Sequence, residues 1–249
     1  MEIKAVRLYE GGFMTQDFAF GGSGDKITLD ASKTYPSSLQ NFVIDTGKEV
    51  ILVDTGVPAE TPDMPPREGQ KIYQGHKIED YLTALNSLGY MPEQVSKILL
   101  THKHPDHSGE LRSFPNAKIY LSPAEADALK LNGENIVRAE FKDGAYHNFD
   151  SSEKIAEGVY LIPAPGHTAG NSIVIVEKEG LFYMLHGDVT YTDAALVENQ
   201  LSVVFEDKEA AKITLENVRE FISNNPTVYL STHTPEALVS LEEKKIMKL

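Results

Sequence analysis

One stretch of six residues, His102-Lys103-His104-Pro105-Asp106-His107, constrains this chain more than any other. An apolar run, Ile98-Leu99-Leu100, leads straight into it. Burying that many imidazole and carboxylate groups without partners costs on the order of several kcal/mol. A bound cation removes the cost. In extended backbone, residues i and i+2 point to the same side, so His102 and His104 can reach one ion. Pro105 has no N–H to donate and stops the strand. Asp106 and His107 are then presented in another direction, which points to two adjacent ions. Zinc accepts imidazole and carboxylate ligands, and a catalytic site keeps one position open for water.

Each ion needs further donors, and three more residues stand where a strand gives way to a loop. His167 lies in APGHTAG, after a strand expected at 159–163. Asp188 lies in HGDVT, after a strand at 181–187. His233 lies in STHTPEAL, after a strand at 227–232. Open α/β sheets assemble their sites from distant residues at such strand ends. With no cysteine in the chain, disulfides, thiolate catalysis and sulfur-ligated zinc are excluded, so any metal is held by nitrogen and oxygen. The formal net charge of −14 opposes binding to nucleic acid or to an anionic membrane.

Strands and helices alternate along the chain. Strands are expected at 2–9, 39–45, 49–54, 96–101, 117–122 and 171–177, besides those above. Residues 76–90 read as an amphipathic helix closed by Gly89. Further helices are expected from Pro123, over 207–224 and over 234–244. Residues 57–75, with four prolines, read as a long loop of the kind that forms lids or binding loops. GGSGDK at 21–26 lacks the phosphate-loop spacing and reads as a turn between strands. No linker or repeat divides the chain, so a single domain over 1–249 is expected. No run approaches a membrane span, and the N-terminus lacks a signal-peptide core, so a soluble cytoplasmic protein is expected.

The order HxHxDH, then a histidine 60 residues on, then aspartate, then histidine, resembles the metallo-β-lactamase superfamily. Asp54-Thr55-Gly56 resembles its first motif, in which an aspartate braces the metal-bearing loops. The resemblance implies an αββα sandwich of two mixed sheets with outer helices. It implies that His102, His104 and His167 bind one metal and Asp106, His107 and His233 the other, with Asp188 bridging. The ions are expected to be zinc, with manganese or iron as alternatives.

Two ions bridged by a carboxylate can hold a hydroxide between them, so hydrolysis is the expected reaction class. Zinc β-lactamases commonly use a cysteine, which this chain lacks. Glyoxalase II carries a helical C-terminal domain, whereas 16 residues follow His233 here. RNA-processing members need a basic surface or an inserted domain. Flavodiiron proteins usually have glutamate where His104 stands. The N-acyl homoserine lactonase branch is closest. Its tyrosine three residues after the bridging aspartate matches Tyr191, whose hydroxyl would meet the substrate carbonyl, and Asp106 would shuttle the proton. These lactonases usually have an aromatic residue at the position of Pro105 and Gly or Asn at that of Glu110. The expected substrate is a small lactone or ester with an apolar chain. Another hydrolase of the superfamily, or a metal-binding sensor or scaffold without turnover, remains the alternative. Phe13, Met14, Phe18 and Phe20 either pave an acyl-chain pocket or pack the core. His186, on the strand before Asp188, either orients a ligand or is buried in the core. His76, at a helix start, and His147 read as surface residues.

Overall fold

The computed structural model describes residues 1–24 and 28–249. The chain opens with β1 (Glu2–Thr15), α1 (Gln16–Phe20), β2 (Thr34–Asp45), β3 (Val50–Val53) and β4 (Ile72–Lys77). Then come α2 (Tyr81–Ser87), β5 (Val95–Leu99), α3 (Pro105–Ser108), β6 (Lys118–Leu121), α4 (Pro123–Ala128) and β7 (Ile136–Arg138). The second half holds β8 (Glu153–Ala156), β9 (Val159–Pro163), β10 (Ser172–Lys178), β11 (Leu181–His186) and α5 (Asp193–Val197). It closes with α6 (Lys208–Asn224), β12 (Thr227–Ser231) and α7 (Glu236–Glu243).

The strands form a seven-stranded sheet, β4-β1-β2-β3-β5-β6-β7, and a five-stranded sheet, β12-β11-β10-β9-β8. Both are mixed. β3, β5 and β6 run parallel, as do β11 and β12, while β1–β2 and β9–β10 are antiparallel.

Side-chain alternation sets the layers. In β3, Ile51 and Val53 enter the core between the sheets, and Leu52 faces the outer side. In β10, Val174 and Val176 face inward, and Ile173 and Ile175 outward. Tyr81 and Leu85 of α2 and Ala126 of α4 cover the outer face of the first sheet. Leu215, Val218, Phe221 and Ile222 of α6 cover that of the second. Their spacing forms one helical stripe. The architecture is therefore the αββα sandwich expected from the sequence.

Several boundaries differ from expectation. The helix expected from His76 begins only after Asp80, whose carboxylate accepts the Thr83 N–H as its cap. Residues 72–77 are instead the edge strand β4, paired with β1. The long loop therefore ends at 71, and His76 is an exposed strand residue beside Tyr73. Residues 21–24 follow α1 rather than a strand. Asp25 and Lys26, the end of the GGSGDK stretch, lie outside the described residues. No helix among the described residues is long and apolar enough to cross a membrane.

Candidate metal centre

Parallel pairing brings the ends of β3 and β5 to one edge of the first sheet, and those of β11 and β12 to one edge of the second. The two edges meet: Ser172 N–H donates to Thr101 O at 2.9 Å, and Ser38 N–H to His233 O at 3.2 Å. The residues singled out in the sequence converge there. Pro105 ends the extended segment by opening α3 at its first position, where a missing N–H costs nothing. Asp106 and His107 thus leave on a helical turn, while His104 is still extended.

Two donor groups result. His102, His104, His167 and Asp188 form one, and Asp106, His107 and His233 the other. In the first, His102 Nε2, His104 Nδ1 and His167 Nε2 form a triangle with sides of 3.1, 2.9 and 3.2 Å. Tetrahedral zinc with imidazole nitrogens at about 2.1 Å would separate them by roughly 3.4 Å. Asp188 lies between the groups. Its Oδ2 is 3.1 Å from His167 Nε2 and 3.7 Å from His102 Nε2. Its Oδ1 is 3.2 Å from His233 Nε2 and 3.4 Å from His107 Nε2. Asp106 completes the second group, 3.6 Å from His233 Nε2 and 3.9 Å from His107 Nε2.

The outer hydrogen bonds decide which nitrogen carries the proton. His107 Nδ1 donates to Asp54 Oδ2 at 2.7 Å, which turns Nε2 toward the centre. His102 Nδ1 lies 3.0 Å from Thr101 Oγ1, which itself donates to Asp54 Oδ2 at 2.8 Å, so His102 must donate. His167 Nδ1 donates to Val204 O at 3.1 Å. For His102 and His167 the outer hydrogen bond leaves Nε2 as the nitrogen facing the centre, and His107 Nε2 and Asp188 Oδ1 are buried without a hydrogen-bond partner. Ring nitrogens converging to about 3 Å and buried atoms without partners are what a pair of cations would satisfy. The residues fit the two ions that the sequence implies.

Electrostatics separates the two groups: burial opposes charge on His107 and His233, yet Asp188 and Asp106 outweigh it and raise both above the usual imidazole range. Burial, then the neighbouring His107, hold His102 well below the usual imidazole range, so it stays a neutral donor. Burial opposes ionisation of Asp188, yet His233, His107, His167 and His102 outweigh it and hold the carboxyl well below its usual range. Burial, then Asp188 and Asp106, push the Tyr191 phenol well above its usual value, so it keeps its proton.

Tyr191 lies beside both groups, its ring 5.4 Å from that of His233 and 6.3 Å from that of His167. Phe18 stacks on it at 5.5 Å. Met14 and Phe20 are buried in the cluster beneath Tyr191, so these two are core. Phe13 tilts against Tyr73. His186 contacts no ligand side chain by hydrogen bond: both its nitrogens are unpartnered, its ring lies 4.3 Å from that of Tyr229, and burial pushes its pKa down to about 3. His147 is exposed.

Three polar residues at the site had no role assigned from the sequence. Gln74 of β4 donates to Asp106 Oδ2 at 2.7 Å. Glu110 accepts the Ala59 N–H at 2.6 Å and so ties down the long loop. Glu125 of α4 reaches the loops that carry His102 and His167. For Glu125 the sequence offers Ser122-x-x-Glu125, a capping-box pattern, which hides any second role. Beside Asp106 opens a cleft of about 420 Å³, lined by Tyr9, Val57, Met64, Ile72, Tyr73 and Gln74 among others.

An N-acyl homoserine lactonase of Bacillus cereus is 26% identical over 225 residues, covering 85% of this chain and 89% of that one. Among solved structures, a mutant of Bacillus thuringiensis AiiA with N-decanoyl-L-homoserine at its active site has a TM-score of 0.72 at 21% identity. It covers 96% of this chain and 97% of that one. AidC, a dizinc quorum-quenching lactonase in complex with its product, has a TM-score of 0.64 at 16% identity, covering 94% and 91%. The family model of the metallo-beta-lactamase superfamily matches residues 40–233, from β2 to the last histidine of the centre, and the chain belongs to that superfamily.

Proposed function

We propose that this protein is a dinuclear metal-dependent hydrolase that opens the ring of N-acyl homoserine lactones or related lactones. The observation that carries the reading is Asp188, whose two oxygens divide between the two donor groups. His102, His104 and His167 would hold one ion, Asp106, His107 and His233 the other, and Asp188 both. The donor set and a dizinc lactonase of the same fold favour zinc. When bound, such ions lower the pKa of water to about 7 and polarise a carbonyl.

The chain's own groups supply the rest. Tyr191, kept protonated and stacked on Phe18, donates a hydrogen bond to the lactone carbonyl as it gains charge. Water adds to the acyl carbon, the ring C–O bond breaks, and the proton from the water reaches the departing oxygen. Asp106, oriented by Gln74, relays that proton. The cleft beside it has an aliphatic and aromatic lining suited to an acyl chain. The 57–71 segment supplies much of that lining, which gives the proline-rich loop a binding role. One domain over 1–249, in the cytoplasm, completes the reading.

Steady-state kinetics of the zinc-loaded protein tests it, with N-acyl homoserine lactones of short and long chain, an aryl ester, a thioester and a phosphodiester. The lactones should give the highest kcat/KM. Turnover of the phosphodiester alone would overturn the lactonase reading, and turnover of nothing would favour a metal-binding sensor.

A further inference from the structure

Among the described residues, two carboxylates outside the proposed ligand set are almost fully buried, Asp54 at 0% and Glu125 at 1% exposure. Asp54 serves both donor groups, through His107 directly and through Thr101 to His102. Glu125 reaches only one. Its Oε2 accepts the Lys103 N–H at 2.7 Å, and Lys103 lies between His102 and His104. Its Oε1 accepts the Thr168 hydroxyl at 2.8 Å and the Gly170 N–H at 2.8 Å, just past His167. The first segment follows β5 of one sheet, and the second joins β9 to β10 of the other. One side chain therefore spans the two sheets where the three nitrogens of the first group meet.

The backbone is shaped for this contact. A Cβ on Gly170 would come within 1.9 Å of Ser122 Oγ and 2.9 Å of Glu125 Cγ, so only glycine lets the loop approach. Ser122 Oγ accepts the Glu125 N–H at 3.3 Å and caps α4, which fixes where the carboxylate starts. In a capping box, the glutamate would return to the cap residue's N–H. Here it is spent on the loops instead.

We propose that Glu125 is a positioning residue that sets His102 and His104 against His167, and so governs metal affinity at that group alone. The inference rests on the dinuclear reading above. The chemistry requires a carboxylate. All three partners are donors, and a carboxylate offers only acceptors. A glutamine would turn an NH2 toward Lys103 N–H or toward Gly170 N–H, donor against donor. Losing such an outer partner typically weakens metal binding ten- to a hundredfold.

The test uses Zn²⁺ competition against a chromophoric chelator in two backgrounds. His233→Ala leaves the first group intact, and His167→Ala leaves the second. Adding Glu125→Gln to His233→Ala should weaken zinc binding about ten- to a hundredfold. Adding it to His167→Ala should change the affinity less than about twofold. Unchanged affinity in the first background would overturn the proposal. So would equal losses in both, because a general loosening of the fold does that. If Glu125→Gln does not fold, Thr168→Val removes one of the three bonds, and a smaller loss confined to the first background is expected. Should the His233→Ala protein with Glu125 intact bind no zinc, the metal assignment itself fails, and the proposal with it.

Discussion

Asp188 and Tyr191 stand three residues apart, yet they separate two questions, whether metal is held and what is hydrolysed. The seven candidate donors were legible in the sequence because a six-residue cluster of three histidines and an aspartate is hard to explain by packing. Gln74 was not, since an amide reveals a role only once Asp106 is seen 2.7 Å away. Asp54 was legible through its motif. Its left-handed φ of 64° and its bonds to Thr101 and His107 supply the physical reason. Tyr191 carries the substrate question. Its hydroxyl is no metal ligand, so Tyr191→Phe should keep the full metal content. A donor aimed at developing charge acts mainly in the transition state, so kcat should fall more than KM rises. A loss of roughly tenfold to a few hundredfold on lactones is expected, below the largest oxyanion-hole effects, because bound metals would still polarise the carbonyl. Steady-state kinetics beside elemental analysis checks this, and unchanged kcat would remove Tyr191 from the mechanism.

At the scale of elements, long periodic segments were readable and short edge ones were not. α6 and the central strands follow the apolar pattern closely. β4 did not, because Gly75, His76 and Lys77 have little strand preference. Pairing with β1 makes it a strand, and its Gly75 allows a close approach: a Cβ there would meet Glu10 O at 2.1 Å. That strand delivers Gln74 to Asp106. The loop before it is held by Glu110, which accepts the Ala59 N–H, and by Lys77, whose Nζ donates to Ala59 O at 2.7 Å. Anchoring the loop is the use the structure shows for Glu110. A hydrogen bond to a charged group is worth about 1.5–3 kcal/mol. In Glu110→Ala, hydrogen exchange at the Ala59 amide should therefore speed up by at least about tenfold. KM for long-chain lactones should rise several-fold, with metal content unchanged. Wild-type exchange at Ala59 would show that Glu110 does not hold the loop.

At the scale of the molecule, the alternation of inward and outward residues in β3 and β10 made the layered architecture legible. What the sequence leaves open is how tightly the two sheets are joined at the site. That depends on contacts between residues far apart in the chain, such as Glu125 with Gly170 and Ser172 with Thr101. The donors come from loops of both sheets, so the centre is complete only when the whole sandwich is folded. Metal binding and stability are therefore linked. On the dinuclear reading, the seven donors form two sites sharing Asp188, not one. Elemental analysis of protein expressed with ample zinc and freed of loosely bound ions measures this directly. Close to two ions per chain are expected, falling toward one or none in Asp188→Ala. A wild-type protein that holds at most one ion per chain, or an Asp188→Ala variant that keeps two, would contradict the dinuclear centre.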